Sequence, residues 1–336
     1  MKRLSLFGVL LGLALVTAVV VGLGWQGIVV GLQTAGWAVF WLPVYYLVPL
    51  GCALFSWWYL FPQQAAPNIG LSAYCLWINF AVNWLLPVAQ VGGEIARIRL
   101  LLKRRFPTGE AIAPVIGDQT LQLISQALYA ILGVLLLGFS QLGTLSEREG
   151  GPTVEITSTQ LWLRLGLSLM ILLIMTVGFY WVQQQGLFKL LSRVAHKFPT
   201  LIPDVEDAAT QIDQAVVSMY GRRDRLLVAS LWRCGFRLLA AGETWLALRF
   251  LGYPVGLVDA IALESLGQAI RSAAFLIPGG LGAQEIGIIG IGAVLGLPDT
   301  IGLSLSLCKR IRELVIGVPG LIALQVEEGR VLWIKR

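Results

Sequence analysis

Pro87-Val-Ala-Gln-Val-Gly-Gly-Glu94 and Pro278-Gly-Gly-Leu-Gly-Ala-Gln-Glu285 are two versions of one device, set in corresponding positions of the two halves of the chain. Each is a Pro/Gly break inside an apolar region, closed by a glutamate that opens a new helical pattern. Proline withholds a backbone donor and glycine weakens a helix, so the chain is interrupted at both places. Matching interruptions in two halves of a membrane protein point to a transporter-type binding site near the bilayer midplane.

The sequence around the two breaks is that of a membrane protein. The 336 residues are 57% hydrophobic and 13% charged, where a soluble domain carries roughly 25% charged residues. Mean hydropathy is +0.76. Spanning takes roughly 20 apolar residues per helix. Leu4–Gly24, Trp37–Leu60, Ala111–Phe139, Leu161–Val182, Leu226–Phe250 and Ile301–Leu324 reach that length, although Leu226–Phe250 carries Arg233, Arg237, Glu243 and Arg249. The expected fold is an all-α polytopic membrane protein. Met1-Lys-Arg and Leu4–Gly24 read as a retained first span, because a signal-peptide core is shorter, about 7–15 residues. The formal charge of +6 suits loops facing anionic lipid. No aromatic-plus-basic pattern suggests nucleic acid. Cys52, Cys75, Cys234 and Cys308 are scattered without a C-x-x-C, and His196 is the only histidine. Neither a metal centre nor a cofactor is expected, and a Ser-His-Asp triad is disfavoured.

Charge bias orients the spans. Lys2 and Arg3 place the N-terminus in the cytoplasm. Arg97, Arg99, Lys103, Arg104 and Arg105 are cytoplasmic only if residues 72–104 enter and return on one side. Residues 140–160 are net acidic and suit the outside, whereas 183–225 and the tail with Arg330, Lys335 and Arg336 are basic. Each half then reads span, span, re-entrant helical hairpin, span, with the second hairpin at 257–297 entered from the opposite face. Counting each hairpin arm as a full span is the alternative. The expected organisation is six full spans plus two re-entrant hairpins as an inverted-topology repeat. Residues 1–139 form the first repeat, 140–160 an external loop and 161–324 the second repeat. A cytoplasmic amphipathic insertion at 183–225 interrupts the second repeat, and 325–336 form a cytoplasmic tail. Within the insertion, Leu187, Phe188, Leu190, Leu191 and Val194 oppose Lys189, Arg193 and Lys197, as in an interfacial helix. Val205, Ala208, Ala209, Ile212 and Val216 form a second stripe.

Irregular backbone at membrane depth must line a cavity or be buried in protein. Helices starting near Gly93 and Gly282 would aim their N-termini, which attract anions, at such a cavity. Glu94 and Glu285 either cap those starts or face a ligand. Charged residues within spans cost roughly 2.5–3.5 kcal/mol at the centre, so they pair or line a polar path. Asp118, Glu264, Arg271, Lys309, Arg310, Arg312 and Glu313 are in that position, and Arg233 and Arg237 share one helix face. Arg271 with Glu285, or Asp118 with Lys309, are candidate pairs. Gly8/Gly12 and Gly292/Gly296 read as packing pairs. Trp37, Trp41, Trp57, Trp58, Trp162 and Trp181 read as interface-belt residues. The candidate lining is Gly92, Gly93, Glu94, Arg97, Asp118, Arg271, Gly279, Gly280, Gly282, Gln284, Glu285, Lys309, Arg310 and Arg312.

On these residues the chain resembles the lysylphosphatidylglycerol-synthase transmembrane, or flippase-like, family. The resemblance is carried by Pro87 through Gly92-Gly93-Glu94-x-x-Arg97, and by Pro278 through Glu285 with Gly296-Leu-Pro beyond. Asp118-Gln-Thr-Leu-Gln, Glu264-Ser-Leu-Gly-Gln-Ala-Ile-Arg271 and Lys309-Arg-Ile-Arg-Glu313 resemble its hopanoid-biosynthesis-associated subfamily. Where the wider family often has a Glu-Arg pair in the fourth span, this chain has Asp118-Gln119. The resemblance implies a lipid flippase or transporter of the bacterial inner membrane, not an enzyme, acting on a hopanoid or anionic phospholipid, with lipid-biosynthesis proteins as possible partners. A membrane-embedded transferase using Glu94 or Glu285 as acid/base, or a non-catalytic partner in a lipid-biosynthesis complex, are the rival expectations. Residues 325–336 leave no room for a fused aminoacyl-transferase domain after the last span.

Overall fold

The computed structural model describes residues 33, 35–86, 92–147, 205–274 and 282–334. The expected spans Leu4–Gly24 and Leu161–Val182, the first insertion helix and the two break tips lie outside these residues. Among the described residues all regular structure is helical. A short 3-10 turn, Gly36–Phe40, leads into α1 (Trp41–Trp58). Then follow α2 (Ile69–Leu85), α3 (Gly92–Lys103) and α4 (Thr108–Glu147). The later set is α5 (Val205–Gly221), α6 (Arg223–Phe250), α7 (Leu257–Ala273), α8 (Ala283–Val294) and α9 (Asp299–Ile334).

The two halves repeat the same lengths around the breaks. α2 and α7 are 17 residues each, and α3 and α8 are 12. At 1.5 Å per residue the shorter arms are about 18 Å long, against a hydrocarbon core of about 30 Å. Gly36–Trp58 and Thr108–Gly138 are long and apolar enough to cross a membrane. α6 and α9 have the length, but charged side chains interrupt their apolar character.

The helices pair in a pattern that survives exchange of the halves. α2 lies on α3 and against α9; α7 lies on α8 and against α4. α1 and α6 form the central pair. They run antiparallel: Tyr45 donates to the Leu239 carbonyl at 2.9 Å, Phe55 stacks on Trp232, and Arg225 donates to the Tyr59 carbonyl at 3.0 Å. In lipid no hydrophobic force draws helices together, so small residues that admit close contact set the pairing. A Cβ on Gly133 of α4 would lie 1.9 Å from Ser265 Oγ of α7. One on Gly320 of α9 would lie 2.8 Å from the Ala81 Cβ of α2.

Apolar packing gathers at opposite ends of the bundle. One cluster joins Trp57, Phe61, Ile78, Leu101, Ile112 and Met219 around the first hairpin. The other joins Leu42, Leu248, Leu263, Ile288 and Leu305 around the second. α5 is amphipathic as its stripe implied, and Ile212 and Met219 pack it onto the start of α4.

Three expectations change. The helix of the Ala111–Phe139 span runs on to Glu147, and the last helix to Ile334, so part of the expected loop and tail is helical. Hydropathy marks where lipid ends; it does not break a hydrogen-bond ladder. Trp57 is no belt residue: it is fully buried, whereas Trp37 and Trp41 are exposed as expected. Gly292 and Gly296 do not form a close contact face, because Gly296 sits at φ +79° just past the end of α8, with open space where its Cβ would be.

Candidate functional site

Each break starts a short helix whose first glutamate is buried. At the first, a Cβ on Gly93 would lie 2.3 Å from the Asn79 carbonyl oxygen, so only glycine lets α3 start so close to α2. Asn83 accepts from the Gly93 N–H at 2.9 Å and so caps α3. The Glu94 carboxylate accepts from the Asn79 amide at 3.1 Å, the Asn83 amide at 3.2 and 3.3 Å, and the Gln119 amide at 2.5 Å. Glu94 is thus held by neutral donors. One turn on, Arg97 donates to Asp118 at 2.9 Å and stacks 4.4 Å from the Trp57 ring. Asp118 also pairs with Arg233 of α6, so one carboxylate ties three helices. Arg97 is 1% exposed.

At the second break Gly282 has φ +80°, and its N–H donates to Glu285 at 2.7 Å, so Glu285 caps α8. The other Glu285 oxygen accepts from Ser306 at 3.3 Å and Arg310 at 3.2 Å. Arg271 donates to Gln284 at 2.8 Å and pairs with Glu313, which also receives Arg310 at 2.9 Å. Lys309 pairs with Glu264, which further accepts from Thr244 at 2.5 Å and Gln268 at 3.0 Å. Arg312 stacks 3.8 Å over Tyr46 and 5.0 Å from Trp84, with Glu243 at 2.9 Å. Lys309, Arg312 and Glu313 share one face of α9, as i, i+3 and i+4 positions do. Leaving any of these charges unpaired would cost several kcal/mol.

The pairs differ from those the sequence suggested. Arg271 meets Glu313 instead of Glu285, and Asp118 meets Arg97 and Arg233 instead of Lys309. Spacing along the chain names faces of a helix, and which faces meet is a property of the packing.

A polar cavity of about 110 Å³ lies between the two hairpins. Asn79, Asn83 and Glu94 line it from the first hairpin, and Glu264, Gln268 and Arg271 from the second. Gln119, Gln122, Gln126 and Tyr129 of α4, Arg233 and Arg237 of α6, and Arg312 of α9 complete the polar wall, with Tyr46, Phe80 and Trp84 as aromatic faces. Such a chamber can hold a charged or hydrogen-bonding headgroup. Of the candidate lining, Glu94, Arg271 and Arg312 reach this cavity. Gln284 and Lys309 border a smaller void beside it. Gly93, Arg97, Asp118, Gly282, Glu285 and Arg310 stand behind, holding the wall in place; Gly92 begins α3. Gly279 and Gly280 lie outside the described residues. The candidate set omits Asn79, Asn83, Gln119, Gln122, Gln126, Tyr129, Arg237 and Gln268, and also Arg233 and Glu264, which the sequence marks only as charges within spans. A signal existed: Asn79/Asn83 and Gln119/Gln122/Gln126 recur at helical spacing within apolar runs.

No curated protein and no solved structure matches the chain. The family model described as "Lysylphosphatidylglycerol synthase TM region" matches residues 5–320. With its described residues all helical and its buried charges gathered on a cavity between the two hairpins, the chain, matched over that length, belongs to the lysylphosphatidylglycerol synthase transmembrane-region family.

Proposed function

We propose that this membrane protein moves a lipid between leaflets, the headgroup entering the cavity between the hairpins while the tail stays in the bilayer. Membership of the family supports a role in lipid biosynthesis or transport. The observation that carries transport is the cavity itself: it draws its polar wall from both hairpins at once. The antiparallel α1–α6 pair supports an inverted-topology repeat, because equivalent helices beside an in-plane two-fold axis run in opposite directions. Arms of 12 residues support re-entrant hairpins. The reading extends to the bacterial inner membrane, to cytoplasmic termini, and to a hopanoid or anionic phospholipid as cargo.

Leaflet exchange of chain-labelled lipids in proteoliposomes tests it. Exchange that Arg271→Ala and Glu285→Ala abolish is the expected result. A chemically altered lipid in the product would make the protein a transferase instead. Neither exchange nor conversion would leave the role of a partner in a lipid-biosynthesis complex.

A further inference from the structure

The arginines of the cavity wall are not equivalent. Arg233 is paired with Asp118, Arg271 with Glu313, and Arg312 lies between Glu243 and two aromatic rings. Arg237 differs: among the described residues no carboxylate lies within ion-pair distance of it. Its Nε reaches Ser125 at 3.5 Å and one Nη donates to the Gln122 carbonyl at 3.2 Å. The second Nη makes no hydrogen bond among the described residues.

Two neighbours on the cavity wall are also unsatisfied. Both polar atoms of the Gln126 amide and the Tyr129 hydroxyl are buried without a hydrogen-bond partner. Gln126 is 8% exposed and Tyr129 4%. Buried polar groups in native proteins are nearly always satisfied, so orphans on a cavity wall mark the place of an absent partner. Gln126 and Tyr129 lie three apart on α4 and so share a face with each other. The missing partner must accept from an arginine, an amide and a phenol, and must also offer a donor, such as a headgroup hydroxyl, to the Gln126 amide oxygen. The other lining carboxylates define where it sits. Glu264 is neutralised by Lys309. Glu94, at the first hairpin, is already held by the Asn79, Asn83 and Gln119 amides.

We infer that Arg237, Gln126 and Tyr129 form an oxyanion subsite for the phosphate of a lipid headgroup. The cargo is then a phosphate-bearing lipid, and an uncharged polycyclic lipid is not. A guanidinium offers paired donors matched to phosphate oxygens, and the two neutral donors complete the tetrahedral group. A volume of about 110 Å³ admits a phosphate with a small substituent, roughly eight water-sized groups. This inference rests on the transport reading for its cargo, though its binding test stands apart from transport.

The test is binding to the purified full chain in nanodiscs, read by tryptophan fluorescence, since Trp84 faces the cavity. The probes are dihexanoyl phosphatidylglycerol, a phosphate-free glycolipid with the same chains, and inorganic phosphate. The phospholipid should bind and the glycolipid should not. Arg237→Gln should weaken binding about tenfold or more, and Tyr129→Phe and Gln126→Leu each about fivefold, as expected for lost hydrogen bonds to a charged group. Arg237→Lys should recover part of the loss. Arg249→Gln, an arginine of the same helix stacked on Trp245 outside the cavity, should change nothing. Equal binding of the glycolipid, or phospholipid binding unmoved by Arg237→Gln and Gln126→Leu in folded protein, overturns the subsite. Inorganic phosphate binding as tightly as the lipid overturns the headgroup assignment. Leaflet exchange on the same preparations separates the two claims. Specific binding without exchange sinks transport and keeps the subsite; exchange of the phosphate-free lipid does the reverse.

Discussion

Gly93 is where the first hairpin is closest to failing. A methyl group there meets backbone on α2 and the Asn83 amide, which lies 2.8 Å from the would-be Cβ. Gly93→Ala should lower unfolding stability in detergent by about 1–3 kcal/mol, as overpacking does. An unchanged melting midpoint would mean that α2 and α3 separate freely. The Glu264–Lys309 pair is a second test at this scale. Glu264→Gln alone should cost about 3 kcal/mol or more, because it strands a buried ammonium. Glu264→Gln combined with Lys309→Met should cost less than the two single changes added together. Strict additivity would show that the pair is not coupled. That Lys309, Arg312 and Glu313 need partners was readable from their place in an apolar run. Their partners were not, since Glu243 and Glu264 are brought to them by helices far away in sequence. The orphan donors Gln126 and Tyr129 were invisible for a related reason: a glutamine in an apolar helix looks the same whether packing satisfies it or leaves it open.

At the scale of elements, the sequence marked the start of both short helices to within a residue, because Pro/Gly breaks and a following glutamate are local signals. It overlooked how differently the two starts are built. α3 is capped from outside by Asn83, α8 by its own Glu285. Gly282 carries the backbone cost of the second design, with φ +80° and ψ −47°. Gly282→Ala should destabilise the protein by about 1–3 kcal/mol. Gly290→Ala, on the exposed face of α8 with open space at its Cβ, should be neutral or stabilise by up to about 1 kcal/mol. Thermal unfolding of the two variants side by side checks the contrast, and equal effects would remove the special role of Gly282. Helix ends were less legible than helix starts. Nothing in Ser140–Glu147 or in 325–334 stops a helix, so those residues continue the ladder of the spans before them.

For the whole molecule, the decisive property is the direction of the second half relative to the first. Charge bias suggested opposite directions. The antiparallel run of α1 on α6 gives the same suggestion a packing basis, as does the exchange of α2–α9 for α7–α4. On the proposed inverted repeat the hairpins would open to opposite faces of the membrane, and the cavity between them would be reachable from either leaflet in turn. Cysteine labelling can test this on the intact protein. Cys52, Cys75 and Cys308 are buried and Cys234 is exposed, so Cys234→Ser gives a quiet background. Gln64 and Arg105 flank the first hairpin, Tyr253 and Asp299 the second, and all four are exposed. An impermeant maleimide applied to right-side-out vesicles should label Tyr253→Cys and Asp299→Cys. It should reach Gln64→Cys and Arg105→Cys only after the vesicles are opened. Labelling of all four from one face would put both hairpins on the same side of the membrane. The cavity would then have one entrance, and a lipid could enter it but not leave by the other leaflet.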